Sequence, residues 1–336
     1  MKPTEVFETY WRFAAERQAL YFNRMRDPEG PWTSDPILQA YRFTNAYRAA
    51  DRVSQYLIRH VQYNDQRSAA PEDVFFRTML FKIFNRIETW EALEQSHGPI
   101  EFERVDFNLL SGTLDELMRR GQPVYSAAYI MPSPNFGHSR KHDNHLALLS
   151  KMMEDRLPRR LMQKPSLSEV YASLLEYPSL GRFLAFQFTI DLNYSALIDF
   201  PEASFIVAGP GAIDGISKCF SSPTMAPEDI IMDVYETQAK AFSDYGIEFQ
   251  SLFGRPLMPI DCQNLFCEIS KYARVAHPER VGVSGRTRIK QGYSRAAAAL
   301  PTPFFPPKWN LNDEVADICG TTKALAPHDV PLLRAS

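Results

Sequence analysis

Two stretches of this sequence carry residue types whose spacing could do chemistry. The first is Ala208-Gly-Pro-Gly-Ala-Ile213, running into Gly215-Ile-Ser-Lys-Cys-Phe220. It reads as a tight glycine turn between two helices. Backbone N–H groups at Gly209, Gly211, Ala212 and Gly215 in such a turn can hold a phosphate. The second is Phe253-Gly-Arg-Pro-Leu-Met-Pro-Ile-Asp261, followed by Cys-Gln-Asn264, a loop that delivers one aspartate to the start of a helix. A placed carboxylate can act as a general base, and a nearby Lys218 could stabilise a departing phosphate. The structural alternatives are a plain helix cap for Asp261, worth about 1 kcal/mol, and an ordinary solvated side chain for Lys218. A phosphate-holding turn followed by a lone carboxylate is the arrangement of a nucleic-acid enzyme.

Two further groups could complete such a site. Asp35-Pro36 is an N-cap and first-turn signal, and the helix it opens is expected to run through Tyr41 to His60. On it Arg42, Asn45 and Arg48 would lie on one face, as planar donors for substrate or phosphate; a solvated face is the alternative. Asp191 and Tyr194 close a buried helical pattern that begins after Gly181. A carboxylate at a helix C-terminus opposes the dipole, so Asp191 needs either a cationic partner or a functional role. His138, His142 and His145 have metal-like density, but Arg140 and Lys141 would repel a cation, so they read as a polar helix start. No metal or cofactor motif is evident.

These residues need helices to position them, and helical spacing dominates the chain. Residues 3–26, 74–94, 109–120, 146–155, 166–175, 182–195 and 227–245 are expected as helices, whereas 125–131 could be helix or strand. Alternating strand patterns are scarce, so the fold class is all-α. Residues 1–310 read as one helical domain and 311–336 as a flexible C-terminal tail. With 336 residues, 45% of them hydrophobic, the chain can bury a sizeable core. A net charge of −3 excludes a histone-like polycation and demands a localised basic surface for any nucleic acid. Basic residues do cluster at Arg156–Lys164 and across 280–295. The four cysteines fit neither a disulfide framework nor a zinc site. No apolar run is long enough for a membrane span, so an intracellular protein, cytoplasmic or nuclear, is expected.

The order of Pro210-Gly211 and Phe253-Gly-Arg-Pro-Leu-Met-Pro-Ile-Asp261 resembles the helix-hairpin-helix DNA glycosylase superfamily. The chain departs from it in three ways. One helix, about 227–245, lies inserted between hairpin and aspartate; Ile213 replaces the second hairpin glycine; and the four-cysteine iron–sulfur loop is missing. The Schiff-base lysine of bifunctional members is unmatched too, since Gly215 stands near that position and Lys218 lies one turn on. A wider resemblance, from Phe7 to Trp309, is to the DNA base hypermodification family, also described as the helical domain of 5-hydroxymethyluracil DNA kinase or as thymine pyrophosphorylase-like. It rests on Trp32-Thr-Ser-Asp-Pro-Ile-Leu38, Tyr41-Arg-Phe-Thr-Asn-Ala-Tyr-Arg48, Asp191-Leu-Asn-Tyr194, Asp261-Cys-Gln-Asn264 and Pro307-Lys-Trp309.

That resemblance implies a glycosylase-like fold with two helical lobes around a cleft, and DNA as partner with the target base flipped out or single-stranded. It implies replacement of the activated group on a 5-hydroxymethylpyrimidine by an amine or amino acid. Asp261, Lys218 and Asp191 would be catalytic. Arg42, Asn45, Arg48, Tyr194 and Asn264 would bind substrate, and Gly209, Gly211, Ala212 and Gly215 the DNA backbone. No Gly-x-x-x-x-Gly-Lys-Ser/Thr occurs, so phosphorylation would fall to a separate P-loop kinase. Base excision by a glycosylase and a non-catalytic DNA-binding module remain the alternative functions.

Overall fold

The computed structural model describes residues 2–294 and 300–319. In chain order its α-helices are α1 (Glu5–Arg26), α2 (Pro36–Ala40), α3 (Arg52–Tyr56), α4 (Pro71–Phe84), α5 (Ile87–His97), α6 (Phe107–Arg119) and α7 (Lys141–Glu154). They continue as α8 (Leu157–Met162), α9 (Leu167–Leu175), α10 (Arg182–Tyr194), α11 (Pro210–Cys219), α12 (Pro227–Asp244), α13 (Pro259–Ala276) and α14 (Asn312–Cys319). The strand pairing described is β1 (Lys2–Pro3) with β2 (Phe220–Ser221), antiparallel. The all-α expectation therefore holds for the described residues. None of their helices is long and apolar enough to cross a membrane.

The chain divides into two compact units, Met1–Asp51 with Ile206–Ser336, and Arg52–Phe205. In the first, α1 starts at Thr4, whose side chain caps Val6 N–H and whose hydroxyl donates to Lys218 O at 2.6 Å. The apolar face of α1 packs Tyr10 against Phe266 of α13 and Trp11 against Phe242 of α12. Helices α11 and α13 approach most closely at Gly211 and Gly215, where a methyl group would meet the Cys267 side chain and the Phe266 carbonyl.

The second unit is built on α4 and α10, both buried nearly all round. Asp191 here has its cationic partner: its carboxylate lies 3.1 Å from Lys82 Nζ, and its carbonyl accepts from Gln62. Lys82 also donates to Asn85 at 2.7 Å. A buried pair of this kind roughly balances desolvation against attraction, but removing one partner strands a charge. Tyr194 is buried in the same unit, and its carbonyl accepts from Tyr63. His145 is held by the Tyr125 hydroxyl and the Pro132 carbonyl, and burial pushes it down to about 4.

Several expected elements are corrected. The helix expected over 74–94 is two, because Asn85 adopts φ 50° and ends α4 while its side chain takes the Lys82 ammonium. Residues 125–131 form neither helix nor strand. The arm before the 210–219 helix is a 3₁₀ turn, Glu202–Ser204, and an irregular run rather than a helix. The expected tail begins with α14, anchored by buried Val315 and by Asn312, which brackets Phe305 with two 2.9 Å hydrogen bonds. The remainder of the tail, 320–336, lies outside the described residues.

Candidate active site

The helix expected from Asp35 to His60 stops at Tyr41, so Arg42, Asn45 and Arg48 do not share a helical face. The physical reason is that this segment spends its backbone groups on partners far away in sequence. Tyr41 pairs with Gly292, Arg42 N–H donates to Gln291 O at 3.1 Å, and Thr44 N–H donates to the Glu268 carboxylate at 3.2 Å. Asn45 turns the chain locally, its amide donating to Ala50 O and its N–H to the Asp51 carboxylate, which competes with helix formation. Tyr47 donates to Arg255 O at 2.6 Å and accepts from Leu252 N–H at 3.1 Å. Arg48 N–H donates to Asp261 at 2.8 Å. The 41–51 segment is thereby clamped to α13 and to the 252–255 turn.

Asp261 is the third residue of α13 and is only 4% exposed. One oxygen accepts from Arg48 N–H and the other from Met258 N–H at 3.0 Å. It closes the helix start like a capping-box acid and holds the 48–50 turn in place. Burial pushes its carboxyl up to about 6 against those two hydrogen bonds. Asn264, one turn further on, is half-buried.

Of the hairpin residues, Gly209, Ala212 and Gly215 are buried, Gly211 is half-buried, and Pro210 and Ile213 are exposed. Gly209 N–H donates to Gln263 at 3.0 Å, and Ala212 N–H is directed at the Cys267 thiol. Lys218 is buried, donates to Ser270 O at 2.7 Å and lies 3.8 Å from Asp214. Ser270 is nine residues beyond Asp261 on α13, about 13 Å along the axis. The lysine's partners therefore lie well away from that aspartate. Burial pushes Lys218 down. Asp214 is raised by burial, but hydrogen bonds from Ser270 and Ser284 and the charge of Lys218 outweigh this and leave it low.

Tyr41 and Phe43 of the 41–51 segment join Trp32, Tyr293, Arg17 and Arg24 in lining a cavity of about 240 Å³, with Leu20, Glu29, Leu38 and Gln39 among its other walls. Trp32 is tied down through its indole N–H to Asp27 O and its carbonyl to Asn23. Arg24 lies over its ring, 5.0 Å from the centroid. Phe43 is wedged against Phe13 and Tyr272. Arg17 enters from α1, and its Nη1 is buried with no hydrogen-bond partner. Burial lowers its pKa while Asp51 and Glu268 favour its charge. Asp51 is itself pushed up to about 7, chiefly by burial, against the Asn45 N–H and the Arg17 charge, with Glu268 adding to the rise.

Arg17, which lines the cavity, and the Asp51 and Glu268 carboxylates whose charges act on it were not legible as a group in the sequence. In the sequence they are an arginine on the polar side of a helix, a residue inside an expected helix, and one acid among many. Asp51 stands next to the matched Tyr41–Arg48 motif, which is the one signal that could have drawn attention to it.

The titration of Asp51 has a measurable consequence. An unfolded aspartate titrates near 3.9, so between about pH 4 and 7 the folded protein keeps a proton that the unfolded chain releases. Asp51 thus contributes stability below pH 4 that is lost as pH rises through 7. Asp51→Asn keeps the acceptor for Asn45 N–H and removes the buried charge. Denaturant unfolding should show a flatter pH dependence and a gain at pH 8 of at most about 4 kcal/mol; equal pH slopes in both proteins would refute the burial of this charge.

An all-helical protein with an arginine-bearing aromatic cavity is what fold and site define, and sequence comparison supplies the family. The chain belongs to the family described as 5-hmdU DNA kinase, helical domain, whose model matches residues 4–282. It is similar to the 5-hmdU DNA kinase of Bacillus phage SP10, 26% identical over 294 residues, covering 82% of this chain and 46% of that protein. The chain thus spans about half the length of that curated relative. No solved structure matches it.

Proposed function

We propose that this chain modifies a DNA base, taking a 5-hydroxymethylpyrimidine or its phosphorylated form into the cavity and replacing the activated group with an amine or amino acid. The observation that carries this reading is Arg17, whose buried Nη1 has no hydrogen-bond partner in a cavity that Trp32, Tyr41, Phe43 and Tyr293 also line. Aromatic faces stack a flipped base, and an unused guanidinium donor suits an anionic substituent. In the step, the bond from the 5-methylene carbon to phosphate oxygen breaks with its electron pair leaving on the phosphate. The amine nitrogen bonds to that carbon and gives up a proton. Asp51 stands behind the cavity wall, where its charge acts on Arg17 and it accepts from Asn45 N–H; pushed up to about 7, it is the group proposed to take that proton. Asp261 serves by holding Arg48 and the 41–51 segment, with Asn45 shaping its turn.

The glycosylase-like architecture is part of the same proposal. It is supported by the order of the Pro210-Gly211 turn, α11, α12 and the aspartate that opens α13. Lys218, Asp191 and Tyr194 take no direct chemical part in this reading, because their contacts brace helices. The phosphorylated substrate would come from a P-loop kinase, since the relative is named a DNA kinase and this sequence carries no P-loop.

Mass spectrometry of nucleosides from DNA carrying 5-hydroxymethyluracil or its phosphate ester, incubated with the protein and amine donors, tests this. A nucleoside heavier by the amine, with its glycosidic bond intact, is expected from wild type and is lost in Asp51→Asn and Asp261→Asn. Free base with abasic sites would replace the proposal with excision. Unchanged nucleosides with DNA still bound would reduce the chain to a binding module.

A further inference from the structure

We infer that residues 280–293 form a strap that carries a polynucleotide backbone to the mouth of the cavity. Residues 280–290 hold Arg280, Arg286, Arg288 and Lys290 without an acidic residue, in a chain of net charge −3. Arg280 is already committed, donating to Glu5 at 2.6 and 2.9 Å. Arg286, Arg288 and Lys290, at alternate positions, are all exposed, and among the described residues none of the three makes an ion pair.

The strap is held along its length. Ser284 N–H donates to Asp214 at 2.6 Å, Val283 N–H donates to Ser217 at 3.2 Å, and Arg274 donates to Arg288 O at 3.1 Å. Gly282 lies so close to the Asp214 carboxylate that a methyl group there would overlap it. At the far end, Gln291 accepts from Arg42, and Tyr293 N–H donates to Ala40 O at 3.0 Å. One end of the strap therefore sits on α11, and the other is Tyr293, a wall of the cavity. Exposed Arg42 extends the basic row beside Gln291.

Cations held on a fixed track are what a phosphate backbone requires. An acidic protein would satisfy the charge equally well, but it has no use for the aromatic cavity at the end of the row, where a base can stack. The inference deepens the proposed function in naming the surface that delivers the base, yet phosphate binding by the strap needs none of its chemistry.

The experiment is fluorescence anisotropy of unmodified oligonucleotides, single-stranded and duplex DNA and single-stranded RNA, titrated across salt concentrations. Arg286→Gln/Arg288→Gln/Lys290→Gln should weaken DNA binding at least tenfold at low salt. It should also reduce the slope of log K against log salt by about two, at roughly 0.7–0.9 per phosphate. Arg280→Gln, whose partner is Glu5, should leave the slope unchanged, and matching melting curves show that the variants fold. An unaltered slope in the triple variant, or equal competition by polyglutamate, would overturn the strap. Tighter binding of RNA than DNA would overturn its assignment to DNA. Base modification that proceeds with unchanged KM for DNA in the triple variant sinks the strap alone. Strap-dependent binding without modification sinks the proposed function alone.

Discussion

Gly215→Ala is expected to destabilise the protein by about 3 kcal/mol or more, at the upper end of overpacking effects. A Cβ at this position would stand 2.7 Å from the carbonyl carbon and 3.1 Å from the Cα of Phe266, in the middle of α13. These are backbone atoms in a hydrogen-bonded helix, so no rotamer change can make room. Helices α11 and α13 would have to separate, and the buried group that joins them would separate too: Lys218 on Ser270 O, and Asp214 on the Ser270 hydroxyl. The expected fall in melting temperature is about 6–12 °C, at 2–4 °C per kcal/mol for domains of a few hundred residues. Gly211→Ala is the control, because there the nearest atom, at 3.0 Å, is the Cys267 sulfur, which can shift. Equal melting temperatures for Gly215→Ala and wild type would mean that the two helices do not pack as described.

Arg17→Gln is expected to lower base modification by about 10²–10³-fold, the usual loss when one preorganised donor to a developing charge is removed. Glutamine keeps polarity and the aliphatic stem but is shorter and has neither the charge nor the planar fork. Arg17→Lys restores charge without the fork and should recover little of the rate. A purely structural role would behave differently, since lysine would then restore function along with folding. The pH profile gives an independent readout. Arg17 lowers the Asp51 pKa, so its loss should move the acidic limb of the rate profile to higher pH than in wild type. A profile that stays in place while the rate falls would remove Asp51 from the chemistry.

Much of the helical architecture was legible from local signals. Asp35 before Pro36 does cap α2, accepting from Ile37 and Leu38. The helix expected as an insertion at 227–245 is α12. The near-continuous apolar surface of residues 74–84 does mark a core helix, because a helix buried on all sides has no polar face to display. An aspartate at the Asp191 position calls for a cation or a function, and Lys82 supplies the cation.

The site was much less legible. The arginines and asparagine of 42–48 sit at helical spacing, yet the chain there is not helical, because Glu268, Asp261, Gln291 and Gly292 claim its backbone from more than 200 residues away. No local propensity encodes that competition. The same holds for Arg17 and Asp51. Each reads as an ordinary surface charge until folding leaves both half-buried within reach of one another's charge, and desolvation is what shifts their titration most.

By itself the sequence determined the helical class, the Asp35 and Ser166 caps and the family. Each is set by residues a few positions apart, or by ordered motifs that survive substitution around them. Tertiary structure alone decided that the Gly209–Gly215 turn is packed against α13, that Asp261 holds a neighbouring segment, and that the unpaired guanidinium donor in the aromatic cavity is Arg17. The physical reason is that desolvation and hydrogen-bond competition depend on which distant groups arrive at the same place, and spacing along the chain carries no record of that.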